Sequence, residues 1–204
     1  MKISYAITVC NELEEVKRLV NFLLSHKRKE DEIVILFDEK NGTDEVFDYI
    51  ESQVHDCEVF CEKFEGHFAD WKNLLTSHCT GTYIFQIDAD EIPHLNLIQN
   101  LPTLLETNDV DMLRIPRVNT VEGLTQEHIR KWGWNVNEKG WVNWADWQMR
   151  IYKNVPYIKW VNKVHEVLEG FKIHGMLPVE EEWALYHPKT IDKQERQNNY
   201  YDTL

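Results

Sequence analysis

Short, almost wholly apolar runs alternate along the first half of the chain with segments of helical period. Residues 3–9 form an apolar, β-branched run that stops before Asn11 and Glu12. Leu13, Val16, Leu19, Val20, Leu23 and Leu24 then recur at helical spacing, and the segment closes on the basic run Lys27, Arg28, Lys29. A second apolar run, residues 33–37, is continuous in the way of a strand buried on both faces of a parallel sheet, and it stops at Asp38. Residues 39–43 read as a turn, and a helix follows to about Gln53. A third strand is expected over 57–61, a third helix over 68–79, and a fourth strand over 83–87 that runs out onto Asp88, Ala89, Asp90 and Glu91. Strand, helix and returning strand predict an α/β fold with a doubly wound, mostly parallel sheet.

Past Pro93 the regularity weakens. A helix is expected over 95–106 and a strand over 111–118, and a strand-like stretch at 183–186 precedes His187. Between them, residues 132–160 are crowded with Trp132, Trp134, Trp141, Trp144, Trp147 and Trp160 among Asn and Gly, without a clear period. Residues 189–204 are polar, carry Tyr200 and Tyr201, and read as a closing helix or a partner-facing tail. No internal repeat, low-complexity tract or linker interrupts the chain. Its 204 residues, 43% hydrophobic, are enough for one sizeable core, so a single domain is expected.

A formal charge of -13 argues against a nucleic-acid backbone or an anionic membrane surface as the main partner. It leaves room for a nucleotide, because a divalent cation can screen the diphosphate while some carboxylates bind the ion. The apolar start is too short for a signal peptide, and no window approaches the about 18 apolar residues of a membrane span. The expectation is a cytoplasmic protein, at most peripheral to a membrane. Cys10, Cys57, Cys61 and Cys79 form no CxxC pair. Cys57 and Cys61 are four apart, which would suit a metal on a helix, but free thiols in a reducing compartment are the better reading.

The strand over 83–87 delivers Asp88 and Asp90 to one side of an extended chain, since side chains two apart share a face. Two carboxylates at the mouth of a sheet can hold a hard divalent ion and ribose hydroxyls at once. By itself such a pair is equally a solvated turn; its surroundings make it more. Ligands in open α/β sheets bind at the carboxyl edge of the strands, where Val9, Asp38 and Asp88 would meet.

The first half resembles a family 2 glycosyltransferase of the GT-A fold. The resemblance is carried by Cys10-Asn11-Glu12 after the first strand, the aspartate-rich turn from Phe37 to Asp44, and Trp71-Lys72-Asn73 on a helix. It continues in Gly81-Thr82-Tyr83 before the apolar strand that ends in Asp88-Ala89-Asp90. The second half is similar, more loosely, to a subgroup that includes lipopolysaccharide core and bacteriocin-type glycosyltransferases. Its matches are the residues from Gln148 to Asn154, Val164-His165-Glu166, and Leu185-Tyr186-His187.

The resemblance implies a metal-dependent, inverting transferase. It would move a sugar from a nucleotide diphosphate sugar, UDP-linked by preference, to a saccharide, lipid-linked saccharide or protein acceptor. Residues 1–92 would form the nucleotide-sugar half and 93–204 the acceptor and metal-completing half. Thr8, Val9, Asn11 and Glu12 would line the nucleoside pocket, Asp38 would accept a hydrogen bond from the base, and Asp88 with Ala89 would meet the ribose and the metal. Asp90 would be the firmer metal ligand and His187 the candidate that completes the coordination, a mixed nitrogen and oxygen set that suits Mn²⁺ better than Mg²⁺. Lys72, in place of the family's usual Arg, keeps a charge near the diphosphate but loses the bidentate fork. Arg150 would pair with the diphosphate or, as the better reading, sit on a strand as a salt-bridge partner. Glu166, with Asp146 second, would be the general base, and Trp141, Trp144 and Trp147 would line an acceptor groove.

Each assignment has a plainer competitor: a turn aspartate at Asp38, an exposed helical lysine at Lys72, a helix-start carboxylate at Glu166, a surface histidine at His187, core or loop-anchoring tryptophans. Two other functions compete as well. A nucleotidyltransferase would show a Gly-rich phosphate loop after the first strand, and residues 8–15 contain no glycine. An inactive sugar-binding or assembly protein would be expected to have lost some of Asp38, Lys72, Asp88, Asp90 and His187, all of which are present.

Overall fold

A computed structural model of the chain describes residues 1–201, and side chains through 198. Strands β1 (Ile3–Val9), β2 (Glu32–Asp38), β3 (Glu58–Glu62) and β4 (Tyr83–Asp88) alternate with helices α1 (Leu13–His26), α2 (Asp44–Glu51) and α3 (Phe68–His78). The short β5 (Ile92–Pro93) and helix α4 (Leu95–Thr107) lead to the long strand β6 (Met112–Glu122). Helix α5 (Gln126–Trp132) precedes a second long strand, β7 (Val142–Lys153). Three short strands follow: β8 (Lys159–Val161), β9 (Val167–Glu169) and β10 (His174–Met176). A 3₁₀ turn (Glu181–Trp183), β11 (Leu185–Thr190) and α6 (Ile191–Tyr201) complete the order.

Nine of these strands join one mixed sheet among the described residues, in the path β3-β2-β1-β4-β7-β6-β11-β5, with β10 beside β6. β1, β2, β3 and β4 pair in parallel. β7 reverses direction against both β4 and β6, and β11 returns parallel to β6. β8 and β9 form a separate antiparallel hairpin.

Alternation along β1 explains the layers. Ile3, Tyr5, Ile7 and Val9 face a core completed by Val16, Leu19, Val20 and Leu23 of α1, Val46 and Ile50 of α2, and Leu97, Ile98 and Leu101 of α4. Ala6 faces the opposite core, where Trp71 and Leu75 of α3 meet Trp160 and Leu168 of the hairpin. Each fully buried Leu or Ile here contributes about 1.5–3 kcal/mol.

Several boundaries move from expectation. The third strand starts at Glu58, because Cys57 N–H is spent on closing the turn after α2 by donating to Gln53 O at 2.9 Å. The strand expected over 111–118 runs four residues further, to Glu122, because β11 pairs along its whole second half. Arg150 does sit on a strand, but the length of that strand, β7, and its central place in the sheet were not expected. All four cysteines are free, and no helix among the described residues is long and apolar enough to cross a membrane. The expected closing helix is present as α6; the side chains of Tyr200 and Tyr201, and residues 202–204, lie outside the described residues.

Candidate functional site

The parallel register puts Val9 beside Phe37 and Thr8 beside Asp88, so β1, β2 and β4 end on one edge of the sheet. There they open into a cavity of about 1430 Å³. Thr8, Val9, Asn11, Glu12, Asp38, Lys72, Asp88, Ala89, Asp90, Asp146, Trp147, Arg150, Glu166 and His187 all line it. Residues placed in one site by sequence reasoning, from six elements and the loops between them, are therefore together in space.

Near β1, Glu12 folds its carboxylate back onto the backbone, its Oε2 accepting from the N–H groups of Cys10 and Asn11 at 3.0 Å each. Burial pushes its carboxyl above the usual range, with those two N–H groups pulling the other way and neighbouring Asp90 adding to the rise. Asp38, 4% exposed, accepts from Lys40 N at 2.9 Å, Phe64 N at 3.1 Å and Asn41 Nδ2 at 2.7 Å. It holds its own turn and still faces the cavity.

Lys72 is buried, not an exposed helical lysine. Its ammonium lies 4.7 Å above the Trp160 ring, donates to Glu166 Oε1 at 2.5 Å, and stands 3.8 Å from Asp88 Oδ1. The adjacent Asn73 exchanges two hydrogen bonds with the Trp160 backbone at 2.8 and 2.9 Å, which pins β8 to α3. Glu166 sits in the turn of the β8–β9 hairpin rather than at a helix start, right after His165, whose φ of 54° is left-handed.

Asp88 and Asp90 point to different partners. Arg150, 3% exposed, donates one Nη to Asp88 Oδ2 at 2.5 Å and to Glu91 Oε1 at 2.7 Å. Burial opposes ionisation of Asp88, but Arg150 and then Lys72 outweigh it and hold the carboxyl well below the usual range. Asp90 instead meets His187 Nε2 at 3.4 Å and Lys193 Nζ at 3.3 Å. Burial works against its charge too, and His187, Lys193 and Lys189 overcome it, again leaving the carboxyl far below its ordinary value.

The oxygen–nitrogen pair of Asp90 and His187 fits a divalent cation. His187 Nδ1 lies 2.8 Å from Asn119 Oδ1, a contact that orients the ring with Nε2 toward Asp90. An imidazole nitrogen and a carboxylate oxygen are both able to ligate a divalent cation, and Lys193 meets the same Asp90 oxygen at 3.3 Å. No cluster of three or more His, Cys, Asp or Glu side chains suited to a metal occurs among the described residues. Asp90 and His187 are the pair that could hold a cation, while Asp88 Oδ2 is engaged by Arg150.

Three parts of the site escaped the sequence reading. Glu91 has a wholly buried side chain and receives Arg117 at 2.9 Å, Arg150 at 2.7 Å and the Asp88 N–H at 3.1 Å. Arg117 also grips Asp146 Oδ2 at 2.7 and 2.9 Å, giving a continuous chain Asp88–Arg150–Glu91–Arg117–Asp146. Asp146 accepts further from Asn119 and Gln148 at 2.9 Å each. Burial resists its ionisation, yet Arg117 and the two amides keep its carboxyl below the ordinary range. Finally Lys189 and Lys193 come in from β11 and α6; Lys193 bridges Asp90 and Glu15, and Lys189 donates to Gln197. Three adjacent acids at 88, 90 and 91, and two lysines just after His187 in so acidic a chain, were the available signals.

The three tryptophans expected in one groove are divided. Trp147 lines the cavity, whereas Trp141 and Trp144 line a separate groove.

The family model described as Glycosyl transferase family 2 matches residues 4–164. The SPbeta prophage-derived glycosyltransferase SunS of Bacillus subtilis (strain 168) is 27% identical over 132 residues, 63% of this chain and 30% of its own length. Glycosyltransferase SunS of Bacillus phage SPbeta matches with the same figures. The chain thus spans about a third of the length of these curated relatives. Among solved structures, S. aureus TarS 1-349 superposes with a TM-score of 0.64 at 15% identity, covering 92% of this chain and 60% of that one. TarS 1-349 in complex with UDP-GlcNAc gives 0.62 at 14% identity, covering 93% and 59%.

Proposed function

The chain belongs to glycosyl transferase family 2 and has the GT-A fold, and on that premise we propose that it transfers a sugar from a UDP-sugar to an acceptor hydroxyl, with inversion and with the help of a divalent cation, Mn²⁺ before Mg²⁺. The observation that carries this reading is the meeting of Asp90 and His187 at 3.4 Å beside Asp88, at the carboxyl edge of the sheet and inside the large cavity. The UDP-GlcNAc complex of a protein with the same fold supports the choice of donor.

In this reading Asp38 accepts the imide N–H of the base, and Thr8, Val9, Asn11 and Glu12 wall the nucleoside. Asp88, with Ala89, faces the ribose. Asp90 and His187 hold the cation. A divalent ion, when bound, compensates charge on the departing diphosphate. Lys72, Lys189 and Lys193 face the same phosphates. Arg150, already shared by two carboxylates, acts by fixing Asp88.

Glu166 is the stronger candidate for general base. Its Oε1 is engaged by Lys72 and it faces the cavity, whereas both oxygens of Asp146 are occupied and its depressed pKa makes it a weak proton acceptor. The acceptor oxygen attacks the anomeric carbon, the bond to the diphosphate breaks with its electron pair leaving on phosphate oxygen, and the hydroxyl proton passes to Glu166. Trp147 lines the acceptor side.

Calorimetric titration of UDP and UDP-sugars, with and without Mn²⁺, tests the assignment. Wild type is expected to bind only weakly without the metal and Asp90→Ala to lose the metal's contribution. Absence of binding under every condition, or equal binding by the variant, defeats it.

A further inference from the structure

Trp141 and Trp144 belong to a groove of about 800 Å³ that shares no lining residue with the transfer cavity. Its walls are the loop 137–141, the start of β7, His94 and residues 179–182. The loop is built with unusual care for an exposed segment. Asn137 Oδ1 accepts from Lys139 N and Trp141 N at 3.0 Å each, and Asn137 N donates to Trp141 O at 3.1 Å. Asn135 and Asn143 are doubly bonded, backbone to backbone at 2.7 Å and backbone to side chain at 2.9 Å. Gly140 and Asn143 take the left-handed φ values, 77° and 52°, that so tight a turn needs. The two indoles are therefore held in place before any ligand arrives, which lowers the entropic cost of binding.

The rings of Trp141 and Trp144 stand 4.8 Å apart at 59°, and both are half-buried. Lys139 rests over the Trp141 ring at 4.3 Å and pairs with Glu181 at 3.0 Å. Its side chain is 61% exposed, so this surface pair is worth about 0–1 kcal/mol and is readily displaced. Glu138, Glu180, Glu181 and Glu182 surround the indoles with Lys139 as the one lysine or arginine among the lining residues. Such a rim repels nucleotides and phosphorylated groups, while its carboxylates accept strongly from hydroxyl or ammonium donors. Indole faces meanwhile offer flat apolar area to the C–H faces of sugar rings.

We propose that this groove binds an uncharged or amino-sugar oligosaccharide and serves as a subsite for the acceptor chain, away from the point of transfer. Service as an acceptor subsite rests on the transferase reading; carbohydrate binding does not.

The test uses maltotetraose, chitotetraose, glucosamine tetramer and tetragalacturonate. Each is titrated without donor and in EDTA, by calorimetry and indole fluorescence, with UDP plus Mn²⁺ titrated in parallel. At least one neutral or amino tetramer is expected to bind, tetragalacturonate is not, and Trp144→Ala should weaken the interaction at least tenfold with UDP affinity retained. The exposed double variant Glu138→Lys/Glu180→Lys should admit tetragalacturonate, which checks the charge argument without touching the indoles. Failure of all the neutral and amino tetramers to bind, undiminished binding by a Trp144→Ala protein that still binds UDP, or unchanged charge selectivity in the double variant overturns the proposal. Loss of UDP binding with oligosaccharide binding intact would defeat the donor reading alone.

Discussion

Glu91 is the residue on which the buried ionic chain turns. One of its oxygens is shared by two guanidinium groups and the other holds the Asp88 backbone, all with the side chain wholly out of water. Removing one member of such a network leaves partners charged and buried, at a cost of about 3–5 kcal/mol. Glu91→Ala is therefore expected to lower the melting temperature by about 10 °C and to weaken UDP binding, as thermal denaturation and calorimetry would show. Glu32 makes a second residue-scale case. Burial disfavours its charge, but Lys2, Ser4 and Thr80 together bring its carboxyl down from 4.5 to about 2. A depressed folded-state value stabilises the fold fully above pH 4.5 and loses that effect as pH falls toward 2. Full conversion gives at most about 3 kcal/mol, and contact with water reduces it to about 1–2. Glu32→Gln should thus be less stable than wild type at pH 7, with the gap closing between pH 4.5 and 2 in denaturant titrations.

At the scale of elements, the β8–β9 hairpin carries Glu166, and Gly170 closes it. A Cβ there would lie 1.8 Å from the Tyr157 carbonyl oxygen, on a backbone at φ 88°. The left-handed conformation alone costs a non-glycine residue about 1–2 kcal/mol. Gly170→Ala should displace the hairpin and cut kcat at least tenfold while leaving the Kd for UDP near wild type, since Asp38, Asp88 and Asp90 ride on other elements. Equal loss of both, or of neither, would contradict that division of labour. The same contrast between elements explains what the sequence disclosed. β1, β2 and β4 were legible because strands buried on both faces read as unbroken apolar runs, and their carboxyl ends brought Asp38 and Asp88 with them. β7 was missed although Asp146, Gln148 and Arg150 alternate with Trp147, Met149 and Ile151 in the period of two that marks a strand, because its first half, 142–145, and the Trp, Asn and Gly before it carry no such alternation. The hairpin was hidden for a different reason: its strands are three residues each, too short to show a period. Glu91, Arg117 and the α6 lysines matter only through partners distant in the chain, which no local pattern reveals.

Over the whole molecule, the expected halves 1–92 and 93–204 are stitched into one sheet, with β4 paired to β7 and β5 to β11. A single cooperative unfolding transition is therefore expected, moved upward as one by UDP with Mn²⁺; at a hundredfold excess over Kd the gain is about 2.7 kcal/mol, or about 5–10 °C. Two separate calorimetric transitions would show that the halves are independent units. The charge distribution is equally global: a chain of net -13 gathers Lys72, Arg114, Arg117, Arg150, Lys189 and Lys193 around one cavity. The strand order also bears on how the protein is made. β4 leaves the ribosome with β1 as its partner and waits for the end of β7, Ile151 to Lys153, about 65 residues later, to cover its other side. At about 5–20 residues per second that is several seconds of naked strand edge. Slow translation of the Trp-rich stretch would prolong this exposure, so yield in a cell should respond to codon choice between Pro93 and Ile151 more than to changes elsewhere.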